Sequence, residues 1–272
     1  MEAGKKCAEK MDDFMSKVAY FSGGYDDADA VRKMGEQAQT SFEDKHKATG
    51  VDRLYYLAIP PTVFADSARS ISEGGIAPTG ETRVVIEKPF GRDSASYEKL
   101  SSDLASALTE KQIYRIDHYL GKELVQNIMA MRFANFIFEP LWDSRHIASV
   151  QIDFKEPFGV EGRAGYFDNS GIVRDIMQNH LMQVLALLAM EAPATMGADD
   201  VRDEKVKLLR SIKTLSPDDF CIGQYAAKGD KPGYHDDEEV PKESVTPTFA
   251  ACAFEINNRR WDGVPFLMRA GR

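Results

Sequence analysis

Hydrophobic and polar positions in the first part of the chain alternate between helix and strand periods. The predicted elements are, in chain order, a helix at 26–44, a strand at 53–59, a helix at 62–73, a strand at 83–87 and a helix at 94–108. Thr62, and Asp93 or Ser94, are suited to cap the two later helices. Elements that alternate at these lengths favour βαβ units around a parallel sheet, which is a Rossmann-like α/β arrangement.

The pattern changes after "RIDHYLGKE" at 115–123. The elements predicted beyond this point are a helix at 122–132, an alternating strand at 147–156, helices at 171–191 and 199–214, and strands at 219–225, 248–256 and 265–269. Alternation in the first of these strands predicts a sheet with one exposed face. We therefore expect a Rossmann-like domain over 1–117, followed over 118–272 by an α+β domain with a mainly antiparallel sheet.

Both predicted domains are incomplete. The first contains only two convincing strands, fewer than a stable doubly wound sheet usually has, and the chain stops directly after the strand "FLMRAG". No G-x-G-x-x-G turn joins a strand to a helix, although this turn seats the pyrophosphate of a dinucleotide. These observations predict that the chain is a fragment.

Composition narrows the classes of function. A net charge of −9 and an isoelectric point near 5.2 disfavour nucleic acid and anionic membranes as partners, whereas a local cluster of cations can still bind a small anion. Three widely separated cysteines argue against a disulfide framework. The most apolar run, "LMQVLALLAM", is too short to cross a bilayer, and the amino terminus is not a secretory signal. We expect a cytosolic protein.

"RIDHYLGKE" concentrates charges and rings in nine residues. If Lys122 starts a helix, His118 and Lys122 can face one pocket, and Gly121 leaves room for a ligand to approach the backbone. Cations beside the unpaired N–H groups of a helix start suit a phosphate dianion. The alternative is an ordinary charged helix start, in which Asp117 is the cap and Glu123 pairs with a lysine.

Polar residues also interrupt an otherwise apolar helix in "GIVRDIMQNHLMQ". They are Asp175, Gln178, Asn179 and His180. Burial can tune a histidine toward a pKa near neutrality, which suits a general base. The alternative is a core histidine whose hydrogen bond goes to a backbone carbonyl. A carboxylate held against one imidazole nitrogen would favour the base.

Two strand ends carry paired charges. Glu87 and Lys88 stand at the end of one strand, and Lys155 and Glu156 stand at the end of another. Charged side chains at such positions either orient a ligand or form an ion pair on the surface. The acidic loop 229–243 has turn residues and no periodicity, so we interpret it as a solvated excursion. "DDVRDEKVK" and "HDDEEV" are interpreted as solvated faces, and no spacing of His or Cys predicts a metal site.

Six segments, in order, resemble the glucose-6-phosphate dehydrogenase family over nearly the whole chain. They are "EKPFGRD", "RIDHYLGKE", "FKEPFGVEGRAGYFD", "GIVRDIMQNH", "DDVRDEKVK" and "RWDGVPF". The resemblance implies oxidation of D-glucose 6-phosphate at C1 by NADP to 6-phosphoglucono-1,5-lactone, which is the first step of the oxidative pentose phosphate pathway. It also implies that the parent protein is a homodimer or homotetramer.

The resemblance further implies roles for individual residues. His180 would be the general base for the C1 hydroxyl, and Asp117 would hold its imidazole. The 6-phosphate would contact His118, Tyr119 and Lys122, and the sugar hydroxyls would contact Glu156 and Asp175. NADP would contact Pro60 and Phe64. Lys88 would lie between substrate and nicotinamide and belong to both the substrate site and the cofactor site.

The chain departs from the family pattern in several places. The glycine-rich NADP turn should precede the segment that begins here, and it is absent. Phe64 stands where relatives often have Tyr, and Arg272 stands where a substrate-contacting Lys is common. Two alternatives therefore stay open. One is a non-catalytic fragment that at most binds sugar phosphate, and the other is a related hexose-6-phosphate dehydrogenase.

Overall fold

Two compact units divide the chain. The computed structural model describes residues 2–43 and 50–272, without the side chains of residues 2–6. The first unit ends at Ile116, and the second spans Asp117–Arg272. Residue 44, the predicted end of the first helix, lies outside the described residues.

A parallel three-stranded sheet forms the centre of the first unit. Its strands are β1 (Arg53–Leu57), β2 (Thr82–Glu87) and β3 (Ile113–Ile116), in the order β1-β2-β3. Both neighbouring pairs are parallel, which confirms the predicted Rossmann-like arrangement. The prediction of two strands was wrong, because β3 is only four residues long and its sequence "IYRI" contains a charge. Such a short run has too few positions to establish a period.

Helices also belong to the first unit. They are α1 (Glu2–Met15), α2 (Ala28–Ala38), α3 (Phe64–Gly74) and α4 (Ser94–Ala107). The predicted cap of α4 is confirmed: the Asp93 carboxylate accepts a hydrogen bond from the Ser96 backbone N–H at 2.8 Å. The predicted cap of α3 was wrong. A 3-10 turn over Pro61–Val63 precedes that helix. The N-cap residue of α3 is therefore Val63, which has no side-chain oxygen to act as a cap.

The second unit contains a mixed, mainly antiparallel sheet, as predicted. Its strands are β4 (Val150–Lys155), β5 (Phe220–Gly223), β6 (Phe249–Glu255) and β7 (Pro265–Gly271). The order is β4-β7-β6-β5, with β4 parallel to β7 and the other pairs antiparallel. The exposed face of β4 follows the alternation in its sequence.

The helices of the second unit are α5 (Glu123–Phe133), α6 (Ala164–Ile172), α7 (Met182–Ala189) and α8 (Ala198–Arg210). The prediction of one continuous helix over 171–191 was wrong. The helical segment already begins at Ala164 and kinks at Gly171, whose φ of 68° is in the left-handed region. Residues Val173–Leu181 then form a π-helix, which we call the π segment, before α7 begins.

One apolar core fills the second unit, and Trp261 and Tyr234 are among its fully buried side chains. Burial of Tyr234 shows that the prediction of a solvated excursion over 229–243 was wrong at this point, because the ring packs into the core. Its hydroxyl donates to Asp168 at 2.7 Å. Across the described part of the chain, no helix combines the length and the apolarity that crossing a membrane requires.

Candidate functional site

The segment that follows β3 forms a tight turn that holds Asp117, His118, Tyr119 and Lys122. The Asp117 carboxylate accepts a hydrogen bond from the Tyr119 backbone N–H at 2.9 Å. The backbone N–H groups of Gly121 and Lys122 donate to the carbonyls of His118 and Tyr119 at 3.2 and 3.1 Å. Lys122 then occupies the N-cap position of α5, where its side chain makes no capping hydrogen bond. The turn therefore brings four different polar side chains from a stretch of six residues close together.

Asp117 also contacts His180, from which it is separated by 63 positions in sequence. The distance from His180 Nδ1 to Asp117 Oδ1 is 2.7 Å, and the two residues are only 5% and 9% exposed. An ionised carboxylate can only accept hydrogen bonds, so Nδ1 is the nitrogen that donates here, and in the neutral imidazole the lone pair is then on Nε2. The partner of this histidine is a carboxylate rather than a backbone carbonyl, which is the arrangement expected of a general base.

Aromatic rings surround this pair. The Tyr119 ring stacks on the His180 imidazole with a centroid distance of 3.9 Å and an interplanar angle of 8°. The His118 ring meets the same imidazole edge-on at 4.6 Å. The Lys122 ammonium nitrogen lies 3.8 Å from the centroid of the Tyr119 ring. The stacking restricts the orientation of the imidazole, and the cation–π contact keeps a positive charge beside it.

Tyr119 is a hydrogen-bond donor over the whole neutral pH range. Burial raises the pKa of its hydroxyl to about 12, and the negative charges of Glu156 and Asp175 add to this shift. The phenol thus stays protonated well above neutral pH. A neutral hydroxyl beside a lysine is suited to donate to an anionic oxygen.

A second cluster combines two carboxylates with one arginine. Arg272 Nε lies 3.1 Å from Glu156 Oε2, and Arg272 Nη2 lies 3.3 Å from Asp175 Oδ2. The Arg272 side chain is only 5% exposed. Sequence reasoning missed this partner of Glu156 and Asp175, although Arg272 was noted as a departure from the family pattern.

The parallel pairing of β4 and β7 explains the contact. Lys155 at the end of β4 pairs with Gly271 at the end of β7, and the next residues, Glu156 and Arg272, leave the sheet at the same edge. The Glu156 backbone N–H also donates to the Gly271 carbonyl at 3.0 Å. The prediction of a mainly antiparallel sheet did not indicate this pair, because the sequence of a strand does not show which strand will be its neighbour.

The π segment presents Asp175 and His180 together. In an α-helix, with 3.6 residues per turn, side chains five positions apart point about 140° away from each other. A π-helix has hydrogen bonds over five residues and about 4.4 residues per turn, which reduces this angle to about 50°. Asp175 and His180 therefore lie close to one face of the helix, where they meet Arg272 and Asp117 respectively.

The three residues assigned to the cofactor lie in the first unit. Pro60 follows β1 and Lys88 follows β2, and since these strands are parallel neighbours, both residues lie at the carboxyl edge of one sheet. The Phe64 side chain is only 1% exposed and packs in the core of this unit. The assignment of Phe64 to a cofactor therefore depends on the resemblance alone. Within residues 2–43 and 50–272, no group of three or more His, Cys, Asp or Glu is arranged to hold a metal ion.

Comparison with known proteins gives matches over the whole length of the chain. Residues 1–127 match a family model described as glucose-6-phosphate dehydrogenase, NAD binding domain, and residues 129–272 match the C-terminal domain of the same family. A protein named glucose-6-phosphate 1-dehydrogenase 1, chloroplastic, from Arabidopsis thaliana is 52% identical over 98% of this chain. A glucose-6-phosphate 1-dehydrogenase from Dictyostelium discoideum is 49% identical over 97% of it.

Solved structures agree with these matches. One, described as glucose-6-phosphate dehydrogenase in complex with its substrate glucose-6-phosphate, is 46% identical, covers 100% of this chain and 56% of its own, and has a TM-score of 0.92. Another, from Mycobacterium avium, is 38% identical with a TM-score of 0.83, and the match covers 96% of this chain and 54% of that one. The chain spans about half the length of its curated relatives, 46% for Arabidopsis and 54% for Dictyostelium.

Proposed function

Because the chain belongs to the glucose-6-phosphate dehydrogenase family, we propose that the protein oxidises D-glucose 6-phosphate at C1 with hydride transfer to NADP. The product is 6-phosphoglucono-1,5-lactone, and the reaction is the first step of the oxidative pentose phosphate pathway. The observation that carries the proposal is the buried contact of 2.7 Å between His180 Nδ1 and Asp117 Oδ1.

His180 is the general base in this proposal. Oxidation at C1 removes the hydroxyl proton as the hydride leaves the same carbon, so a base must be available at that oxygen. With Nδ1 donating to Asp117, Nε2 of His180 is the nitrogen that accepts the proton. The Asp117 carboxylate then stabilises the imidazolium that forms and keeps the ring in one orientation.

The 6-phosphate binds at the turn before α5. Lys122 supplies a positive charge, Tyr119 supplies a hydroxyl that stays protonated, and His118 supplies a ring N–H. The three side chains come from a stretch of five residues and contact one another, since the His118 ring meets the Tyr119 ring edge-on at 4.8 Å and the Lys122 ammonium nitrogen lies over the same ring. Because the chain as a whole has a negative net charge, its affinity for phosphate must come from a local cluster of this kind.

Glu156 and Asp175 orient the sugar. Carboxylates accept hydrogen bonds from hydroxyl groups, and each retains acceptor sites beyond the one that faces Arg272. Arg272 places a positive charge between the two carboxylates, which offsets their mutual repulsion. The pair can therefore define which hydroxyl positions of a hexose are accepted.

Pro60, Lys88 and Phe64 would hold part of NADP, which supplies the hydride acceptor when bound. Pro60 and Lys88 lie at the carboxyl edge of neighbouring parallel strands, which is where nucleotides bind in such sheets, and this supports the assignment. The sequence contains no G-x-G-x-x-G turn for the pyrophosphate, so the fit covers only part of the cofactor.

The test measures NADPH formation with the purified chain and with the complete product of its gene. We expect the complete product to oxidise glucose 6-phosphate much faster than free glucose, and NADP to be preferred to NAD. If the complete product is active and the chain alone only binds the sugar phosphate, the non-catalytic alternative holds for the chain. Lack of turnover by the complete product with any hexose 6-phosphate would contradict the proposal.

Two further assignments accompany this function. We propose a homodimer or homotetramer, which light scattering of the complete gene product would test. The cytosolic location stays a prediction, because the Arabidopsis relative is named as chloroplastic whereas the name of the Dictyostelium relative gives no compartment. Cell fractionation would distinguish the cytosol from an organelle.

A further inference from the structure

A segment before β6 is tied to α6 by hydroxyl groups. We call residues 233–248 the strap. The Tyr234 and Ser244 hydroxyls both donate to the Asp168 carboxylate, the first of them at 2.7 Å. The Thr246 hydroxyl donates to the backbone carbonyl of Asp168 at 2.8 Å. Three hydroxyls of the strap thus converge on one residue of α6.

These contacts continue across the kink between α6 and the π segment. The Ile172 backbone N–H donates to the carbonyl of Pro247 at 3.0 Å. Gly171 has a φ of 68°, and a Cβ at this position would lie 3.2 Å from Thr246 Cγ2. The strap therefore holds the chain on both sides of the kink, three residues before it through Asp168 and directly after it through Ile172.

The other end of the strap contacts the arginine cluster. The Arg272 backbone N–H donates to the Thr248 carbonyl at 3.1 Å. Thr248 is fully buried, and its hydroxyl accepts a hydrogen bond from the Tyr225 backbone N–H at 2.9 Å. One segment thus holds both the start of the helix that carries Asp175 and the backbone of the arginine that pairs with it.

We propose that the strap is a positioning element for the site and that Asp168 is its positioning residue, which acts through the Gly171 kink on Asp175 and His180. The proposal rests on the proposed function. Asp168 contacts none of the residues assigned to substrate. Its effect is to set the rotation of the π segment, and therefore the distance from Asp175 to Arg272 and from His180 to Asp117.

Asp168 is suited to this task by its charge. Burial opposes its ionisation, but the hydrogen bonds that the Ser244 and Tyr234 hydroxyls donate to the carboxylate outweigh this and hold the pKa of the carboxyl below its usual value. Asp168 is thus an ionised acceptor at neutral pH. Its removal leaves the buried Tyr234 hydroxyl without this acceptor, and the side chain must then move or find water.

The first experiment compares Asp168→Ala with Asp168→Asn in the complete gene product. The alanine variant should lower kcat by about ten- to a hundredfold per folded molecule, because small displacements of reacting groups have effects of this size. Asparagine retains an acceptor oxygen and should restore kcat to within about threefold. Asp219→Ala is the control, because Asp219 also accepts two hydrogen bonds, both from Ser216, on a turn unconnected to the kink.

A second readout does not depend on turnover. In the complete gene product, ¹⁵N labelling of histidine with His180→Asn as the assignment reference identifies the imidazole signals of His180. Asp168→Ala should shift these signals and Asp219→Ala should not, even where both variants have the same melting temperature. If the unsubstituted protein shows no dehydrogenase activity, the proposed function fails. The His180 signals then test by themselves whether Asp168 positions the π segment.

Tyr234→Phe provides a variant that disturbs folding less, since it removes one hydroxyl and leaves the ring in the core. It should shift the His180 signals in the same direction as Asp168→Ala, by a smaller amount. Unchanged His180 signals in both variants, together with a kcat per folded molecule within about twofold of the unsubstituted protein, would overturn the proposal.

Discussion

The two halves of the site hold their carboxylates in opposite ways. In the histidine half, Asp117 contacts a side chain that can gain or lose a proton. In the arginine half, Glu156 and Asp175 share Arg272, which is permanently charged. Under the proposed function, the first half moves a proton and the second half holds fixed charges for recognition of the sugar.

The largest effect should follow from removal of the base. His180→Asn should lower kcat by about 10²- to 10⁴-fold with little change in KM, because the imidazole acts in the transition state and contributes little to ground-state binding. Steady-state NADPH formation measures this effect. His146→Asn, at a histidine that pairs with Asp143, is the matched control. A kcat close to normal in His180→Asn would remove this residue from the role.

The arginine half should depend on charge rather than on a proton. Arg272→Gln should lower kcat/KM by about ten- to a hundredfold, because it leaves Glu156 and Asp175 without their buried cation. Arg272→Lys retains the charge and should remain within about threefold of the unsubstituted protein. Equal losses in the two variants would show that the shape of the guanidinium matters more than its charge.

Lys122 should affect binding alone. Lys122→Ala should raise KM for the phosphorylated sugar about tenfold, which is the value of one hydrogen bond to a charged group, and should leave kcat nearly unchanged. Lys207→Ala is the control, since this lysine pairs with Glu204 on α8. The phosphate assignment fails if KM in Lys122→Ala equals that of the control.

The smallest effect should come from Tyr119→Phe at high pH. Burial raises the folded-state pKa of Tyr119 to about 12, above its ordinary value of 10.0, so the folded state retains this proton longer than the unfolded state does. The resulting stability is complete below pH 10 and is lost as the pH rises toward 12. The free energy of unfolding in urea should therefore fall more steeply with pH in the unsubstituted protein than in Tyr119→Phe.

The secondary structure was largely predictable from the sequence. Strands β1 and β2, the cap of α4 and most elements of the second unit follow from local period and local capping residues. The errors have local physical causes. Strand β3 is too short to show a period, and the π segment has the composition of an ordinary buried helix until its neighbours are known.

The types of the candidate residues were predictable from the sequence, but their contact partners were predictable only in part. A histidine inside an apolar helix and a cluster of cations before another helix are visible in the sequence as polar exceptions to a pattern. The resemblance to a family paired Asp117 with His180 in advance. Nothing comparable indicated that Arg272 would be the partner of Glu156 and Asp175, because that contact depends on the parallel pairing of β4 with β7.

The sequence by itself determined which residue types the site contains and where most of the helices and strands lie, because propensity, period and capping act over a few neighbouring positions. The tertiary structure alone decided three things: the contact of Arg272 with two carboxylates, the π segment that turns Asp175 and His180 to one face, and the hydrogen bonds from the strap to Asp168 and Ile172 on either side of Gly171. Each of these joins positions that are far apart in the chain or depends on the packing around them, and the free energy of such contacts becomes available only when the chain has folded.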